Sequence, residues 1–168
     1  MTGDVRAMAA RFAEALEAVE GSPEILGSRV AALDRVRALT AGRTVLIDDH
    51  PDLGDLPREL ADRVADPWDA DVGITGVTAA AADTGTLILA ASPSTPRRTS
   101  LLPPVHVAVV PFSRMVDSYA QAFEVIAALD PPPSSIHLVS GPSRSGDIEF
   151  KLVRGVHGPA DVHALLHP

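Results

Sequence analysis

The sequence predicts an α/β fold built on an open, mostly parallel sheet covered on both faces. Two observations carry that expectation. Short apolar runs alternate along the chain with stretches whose apolar residues recur every three or four positions. The chain has 168 residues and 46% apolar content, enough to bury the core of one compact domain. Its Pro-rich pieces read as connectors rather than linkers between domains, and no internal repeat is visible.

Taken in order, residues 4–20 place Val5, Met8, Phe12, Leu16 and Val19 on one helical stripe, closed by Gly21-Ser22-Pro23. Residues 24–39 repeat the pattern with Leu26, Val30, Leu33 and Val36. The two read as an N-terminal helical hairpin or cap over residues 1–40, docked on an α/β core spanning residues 44–168 of a single domain. Residues 44–47 form a short apolar run that ends in Asp48-Asp49-His50. Two carboxylates beside a histidine are metal-ligand types, but adjacent residues on a strand end point apart, so no metal site is assigned. Leu56, Leu60 and Val64 mark a helix ended by Asp66-Pro67, and residues 70–75 read as a strand.

The alanines at 79–82 favour a small helix, with Gly85 as the left-handed residue beyond its end. Residues 86–91 are then a buried strand, and residues 92–100 a Ser/Thr/Pro loop carrying Arg97 and Arg98. Residues 105–110 are a strand in which His106 alternates with apolar neighbours; its first reading is a hydrogen-bonded structural residue, its second a catalyst. Val116, Tyr119, Phe123 and Ile126 define a helix across residues 113–129, stopped by Asp130-Pro131-Pro132-Pro133. The run 136–139 feeds Ser140-Gly141-Pro142-Ser143-Arg144-Ser145-Gly146-Asp147-Ile148-Glu149, and apolar positions at Ile148, Leu152 and Val153 suit a short helix after it. Residues 161–166, with His163 alternating, read as a last strand.

Composition excludes several functions. A net charge of −8 without a basic run argues against nucleic acid as a partner. The absence of cysteine excludes disulfides, a thiol nucleophile and a thiolate-ligated cluster in this chain. No apolar run approaches the ~18 residues of a membrane span and no leader precedes residue 4, so the expected setting is soluble and cytoplasmic, away from any membrane.

Gly141 to Gly146 matches the first half of a phosphate loop, but Asp147 stands where Lys is required and Ile148 where Ser or Thr is. Asp147 suits the start of a helix instead. No Gly-x-Ser-x-Gly elbow and no Gly-x-Gly-x-x-Gly fingerprint is present. With a parallel sheet, the loops after residues 86–91 and 136–140 open on one edge. Arg97, Arg98, Ser143, Arg144 and His157 are then expected to converge on a small carboxylate or phosphate. Asp83 serves equally as a general base or as a residue tying down its own turn.

Three stretches together resemble the LUD domain of the lactate-utilization protein C (LutC/YkgG) family. They are Ala82-Asp83-Thr84-Gly85-Thr86-Leu87, Ser100-Leu101-Leu102-Pro103-Pro104-Val105-His106, and Gly141 to Glu149 with Gly155-Val156-His157-Gly158-Pro159. The chain departs from the pattern at Asp83, where the family usually has Glu, and at Ser145-Gly146, where it usually has Thr-Ala. The resemblance implies a three-layer α/β/α sandwich like the sugar-phosphate isomerases and coenzyme A transferases. It implies a part in oxidising L-lactate to pyruvate, as an accessory subunit beside iron–sulfur partner proteins that hold the clusters. A stand-alone transferase or isomerase is the alternative, with Asp83 or Glu149 as acid, base or nucleophile. The motif residues Thr84, Gly85, Thr86, His106, Gly141, Ser143, Arg144, Asp147 and His157, with Arg97 and Arg98, are the ligand-binding candidates. Lactate or pyruvate is the expected small carboxylate.

Overall fold

Residues 2–145 and 153–168 are described by a computed structural model. The elements in chain order are α1 (Thr2–Ala18), β1 (Ser22–Ile25), α2 (Arg29–Leu39), β2 (Val45–Ile47), α3 (Leu56–Glu59), β3 (Val72–Thr75), β4 (Ala79–Ala81) and β5 (Thr86–Ala90). They continue with α4 (Arg98–Leu101), β6 (Val105–Pro111), β7 (Met115–Val116), α5 (Tyr119–Ala127), β8 (Ile136–Val139), β9 (Arg144–Ser145), β10 (Val153–Arg154) and β11 (Asp161–His167).

The central sheet is parallel throughout, in the order β1-β11-β6-β3-β2. Its middle strand β6 is buried along its whole length, as a valine-rich run between two covered faces should be. On one face, Ala32 and Val36 of α2 pack against Val45, Val72, Ile74, Val107 and Leu165. On the other, Phe12 and Leu16 of α1 join Ala108, Val110, Ala164 and Leu166 and meet a second sheet through Ala80 and Leu87. That second sheet runs β7-β4-β5-β8, and α5 covers its far side by setting Ala122 against Ala79, Ala81 and Ile88. Among the described residues, no helix is long and apolar enough to cross a membrane.

The strands expected at 44–47, 70–75, 86–91, 105–110, 136–139 and 161–166 all form. Other expectations are corrected. The N-terminal helices are not a hairpin or cap: residues 22–25 form β1, which extends the central sheet beside β11, and α1 and α2 fall on opposite faces. Pro23 is tolerated there because β1 is an edge strand. The alanines 79–81 form a strand instead of a helix. Both faces of β4 are packed, one on the α1 core and one on α5, so small side chains are required and packing overrides helix propensity. Gly85 does adopt a left-handed conformation (φ 62°), but in the turn between β4 and β5, where an added Cβ would lie 2.4 Å from Leu16 N. The helix expected from residue 113 begins at Tyr119, because residues 115–116 pair with β4 and Ser118 caps the start by accepting from Gln121 N.

Lastly, β5 and β8 are antiparallel, so the loops that follow them open at opposite edges of the second sheet. Of the helix expected over residues 148–153, Val153 lies in β10, paired with β9, and the rest lies outside the described residues.

Candidate functional site

The antiparallel pairing of β5 and β8 divides the expected ligand residues into two groups. Thr84, Gly85, Thr86, Gly141, Ser143, Arg144 and His157 gather at the edge nearest the end of α1. There Thr86 Oγ1 lies 2.8 Å from Thr84 Oγ1 and 2.7 Å from Ser140 Oγ, a hydroxyl chain joining β5 to the end of β8. Ser143 N donates to Pro159 O (2.8 Å), and Ser143 Oγ accepts from His157 N (3.2 Å). Arg144 donates to Val19 O (2.5 Å) and pairs with Glu20 (3.2 Å). Asp83 is exposed at this edge, and its carboxylate accepts from Tyr119 N (2.8 Å), tying the β4–β5 turn to the start of α5. Asp147 and Glu149 lie outside the described residues.

The other group lies elsewhere: Arg97 and Arg98 stand toward the opposite edge, where β2 and β3 of the parallel sheet end, and His106, paired with Gly73 early in β6, reaches that edge through its side-chain contact with Thr75. A cavity of about 240 Å³ opens there, lined by Asp48 to Pro51, Thr75 to Thr78, Leu89 to Ser92, Ser94 to Arg97, Ser100 and His137. It is smaller than the ~300–1,000 Å³ of sites for drug-sized ligands, which suits a molecule of a few heavy atoms. Its position beyond the carboxyl ends of parallel strands is the one open α/β sheets favour for ligands.

Register explains how the walls meet. Ile47 pairs with Ile74, and Asp48 N donates to Ile74 O (3.0 Å). Asp48 and Thr75 are therefore neighbours on the face turned away from α2. Asp49 N donates to Ser94 O (2.9 Å), drawing the 92–96 loop across the mouth. Gly73 lets α4 approach, since a Cβ there would sit 1.8 Å from Thr99 O. Thr78 Oγ1 accepts from Ala90 N (3.0 Å), which fixes the second sheet against this rim.

Asp48 is the most perturbed acid of the site. It is 5% exposed, and burial pushes its carboxyl from 3.8 up to about 7, against the opposing pull of Thr99 and Arg98. Thr99 lies close, yet neither Asp48 Oδ1 nor Thr99 Oγ1 has a hydrogen-bond partner of normal geometry among the described residues. His50 and His137 both sit below the usual imidazole value, burial being the larger cause in each. His137 is bracketed by Ser100 Oγ (3.4 Å) and Ser135 Oγ (3.3 Å), with the Arg97 charge depressing it further. His106 is wholly buried behind the wall; Nε2 is 2.8 Å from Thr75 Oγ1, and burial lowers the ring to about 4.

The arrangement suits a small carboxylic acid. Arg97 offers a permanent fork for a carboxylate. Thr75, Ser100 and Asp48 offer polar groups for a neighbouring oxygen. No group of three or more His, Asp or Glu among the described residues is placed to hold a metal ion. The sequence motifs do not single out Asp48, Thr75 or His137 as ligand residues. The available signal was the position of Asp48 at the end of a parallel strand, which outweighs its membership of an Asp-Asp-His triplet.

Comparison with known proteins places the chain. A model of the LUD domain matches residues 63–167, a span that holds Thr75, Arg97, His106 and His137 but not Asp48. Lactate utilization protein C of an Exiguobacterium strain is 42% identical over 115 residues, covering 66% of this chain and 47% of its own length. Lactate utilization protein C of Bacillus subtilis is 42% identical over 101 residues, covering 58% and 42%. The chain thus spans about half the length of the curated relatives it matches. A crystal structure of a DUF162 family protein from Deinococcus radiodurans superposes with a TM-score of 0.72 over 98% of both chains at 18% identity, which establishes the likeness of fold. With a domain match across more than half its length, carried on a parallel sheet of this topology, the chain belongs to the LUD domain family.

Proposed function

We propose that this chain is a component of L-lactate utilisation, the oxidation of L-lactate to pyruvate, and that the cavity beside Asp48 holds one of those acids. The observation that carries the reading is that Arg97, Asp48 and Thr75 line one cavity sized for a very small ligand. The names of the relatives supply the chemical class of that ligand.

In this reading the chain is an accessory subunit. Oxidation of lactate releases two electrons, and a sequence without cysteine offers no thiolate for an iron–sulfur cluster. Cluster-bearing partner proteins receive those electrons, and this chain binds substrate or product beside them. Affinity capture of the full chain from cells grown on lactate tests it. Recovery of a cysteine-rich iron–sulfur protein is expected, and recovery of the chain alone contradicts the accessory role.

One observation favours a second reading, a stand-alone enzyme acting on a small acid. A buried cavity carboxyl titrating near neutrality, as Asp48 does, has the properties of a general acid or base. Turnover of a small acid by the isolated chain, abolished in Asp48→Asn, is the result that would establish it.

A further inference from the structure

We propose that the cavity selects a 2-oxo monocarboxylate over the corresponding 2-hydroxy acid, because Thr75 and Asp48 both present hydrogen-bond donors to the oxygen beside the carboxylate. This rests on the carboxylate-binding reading above and gives it a direction.

The first donor is set by His106. The ring is wholly buried and neutral, so one nitrogen carries the proton. Nδ1 has no partner among the described residues, whereas Nε2 lies 2.8 Å from Thr75 Oγ1. A proton on Nδ1 would leave a buried N–H unpaired, a rarer and costlier state than an under-used acceptor. The proton therefore sits on Nε2 and is donated to Thr75 Oγ1. With that lone pair engaged, the threonine's own O–H is free to point into the cavity its residue lines.

Asp48 supplies the second donor while its carboxyl is protonated, which burial maintains up to about pH 7. A carbonyl oxygen accepts from both groups. A hydroxyl in the same place carries a hydrogen of its own and satisfies the pair less well. Once Asp48 ionises, it becomes an acceptor that suits a hydroxyl and repels a carboxylate. The groups around Asp48 are Asp49 and His50 on its own loop, Arg97, Arg98 and Thr99 at α4, Thr75 on β3 and His137 on β8. His50 and His137 are held below the ordinary imidazole value of 6.5, so both stay neutral above it. Asp48 is then the group whose charge changes near pH 7.

The test is calorimetric titration of the full chain with pyruvate, lactate and propionate at about pH 6.5 and about pH 8.5. Propionate lacks the second oxygen and reports carboxylate binding alone. At the lower pH, pyruvate is expected to bind about fivefold more tightly than lactate, the worth of one neutral hydrogen bond. At the higher pH the ratio falls to one or below. In Asp48→Asn the amide stays a donor, so the preference persists at both values. Thr75→Ser keeps the preference and Thr75→Val loses it, with circular dichroism confirming the fold of each. A wild-type ratio of one at the lower pH, or a ratio that does not move with pH, overturns the proposal. If propionate binds and that occurs, the carboxylate reading survives alone. If none of the three acids binds, both fall.

Discussion

Thr75 Oγ1 lies 2.8 Å from His106 Nε2, so a hydroxyl on the cavity wall is anchored to an imidazole with no exposure to solvent. Burial holds that imidazole near pKa 4, against 6.5 when unfolded. Between those values the unfolded chain takes up a proton that the folded chain refuses, and stability falls as pH drops through the window. His106→Gln is expected to be less stable than wild type by about 1–2 kcal/mol at neutral pH. The gap should narrow toward about pH 4.5, since the variant loses this acid penalty. Urea midpoints at the two pH values check it, and a constant gap contradicts the assignment.

Asp48 works in the opposite sense. Its folded value of about 7 lies above the ordinary 3.8, so its contribution is greatest in acid and is lost as pH rises through that interval. Asp48→Asn should therefore gain stability relative to wild type between about pH 4 and about pH 8, with an upper bound of about 4 kcal/mol at 1.36 kcal/mol per pH unit. Thermal melts across that range measure it. A difference that is flat with pH would mean the carboxyl is ionised throughout.

Gly73→Ala probes how α4 is seated. The new methyl would meet Thr99 O at 1.8 Å, a backbone atom that moves only if α4 moves. A loss of about 3 kcal/mol or more is expected, from overpacking at the site that positions Arg97 and Ser100. A melting temperature equal to that of wild type would show that α4 is not packed there.

Arg144→Ala separates the two edges of the second sheet. Its guanidinium bonds Val19 O and Glu20 at the end of α1, away from the cavity. Removal of a half-exposed ion pair and one hydrogen bond should cost about 1 kcal/mol. Affinity for a small acid should stay within about twofold. A tenfold loss of affinity at unchanged stability would move the binding site to the Ser143 edge.

The parallel core was legible in the sequence because valine-rich runs such as residues 105–110 have little choice between two covered faces. What escaped was set by partners remote in sequence. Ser22 to Ile25 became a strand only because β11, some 140 residues later, offers an edge. Ala79 to Ala81 became a strand because α1 and α5 close on both its sides. The candidate residues were legible as types but not as a group. One antiparallel pairing, β5 with β8, sends Arg97 and Ser143 to opposite edges, and local sequence carries no record of that direction.

A crystal of the full chain soaked with pyruvate at about pH 6.5 shows which edge of the second sheet holds the acid. Pyruvate is expected between Arg97, Thr75 and Asp48, with its carbonyl oxygen within hydrogen-bond reach of Thr75 Oγ1. Pyruvate bound instead among Thr84, Ser143 and His157, with the Asp48 cavity unchanged, would contradict it.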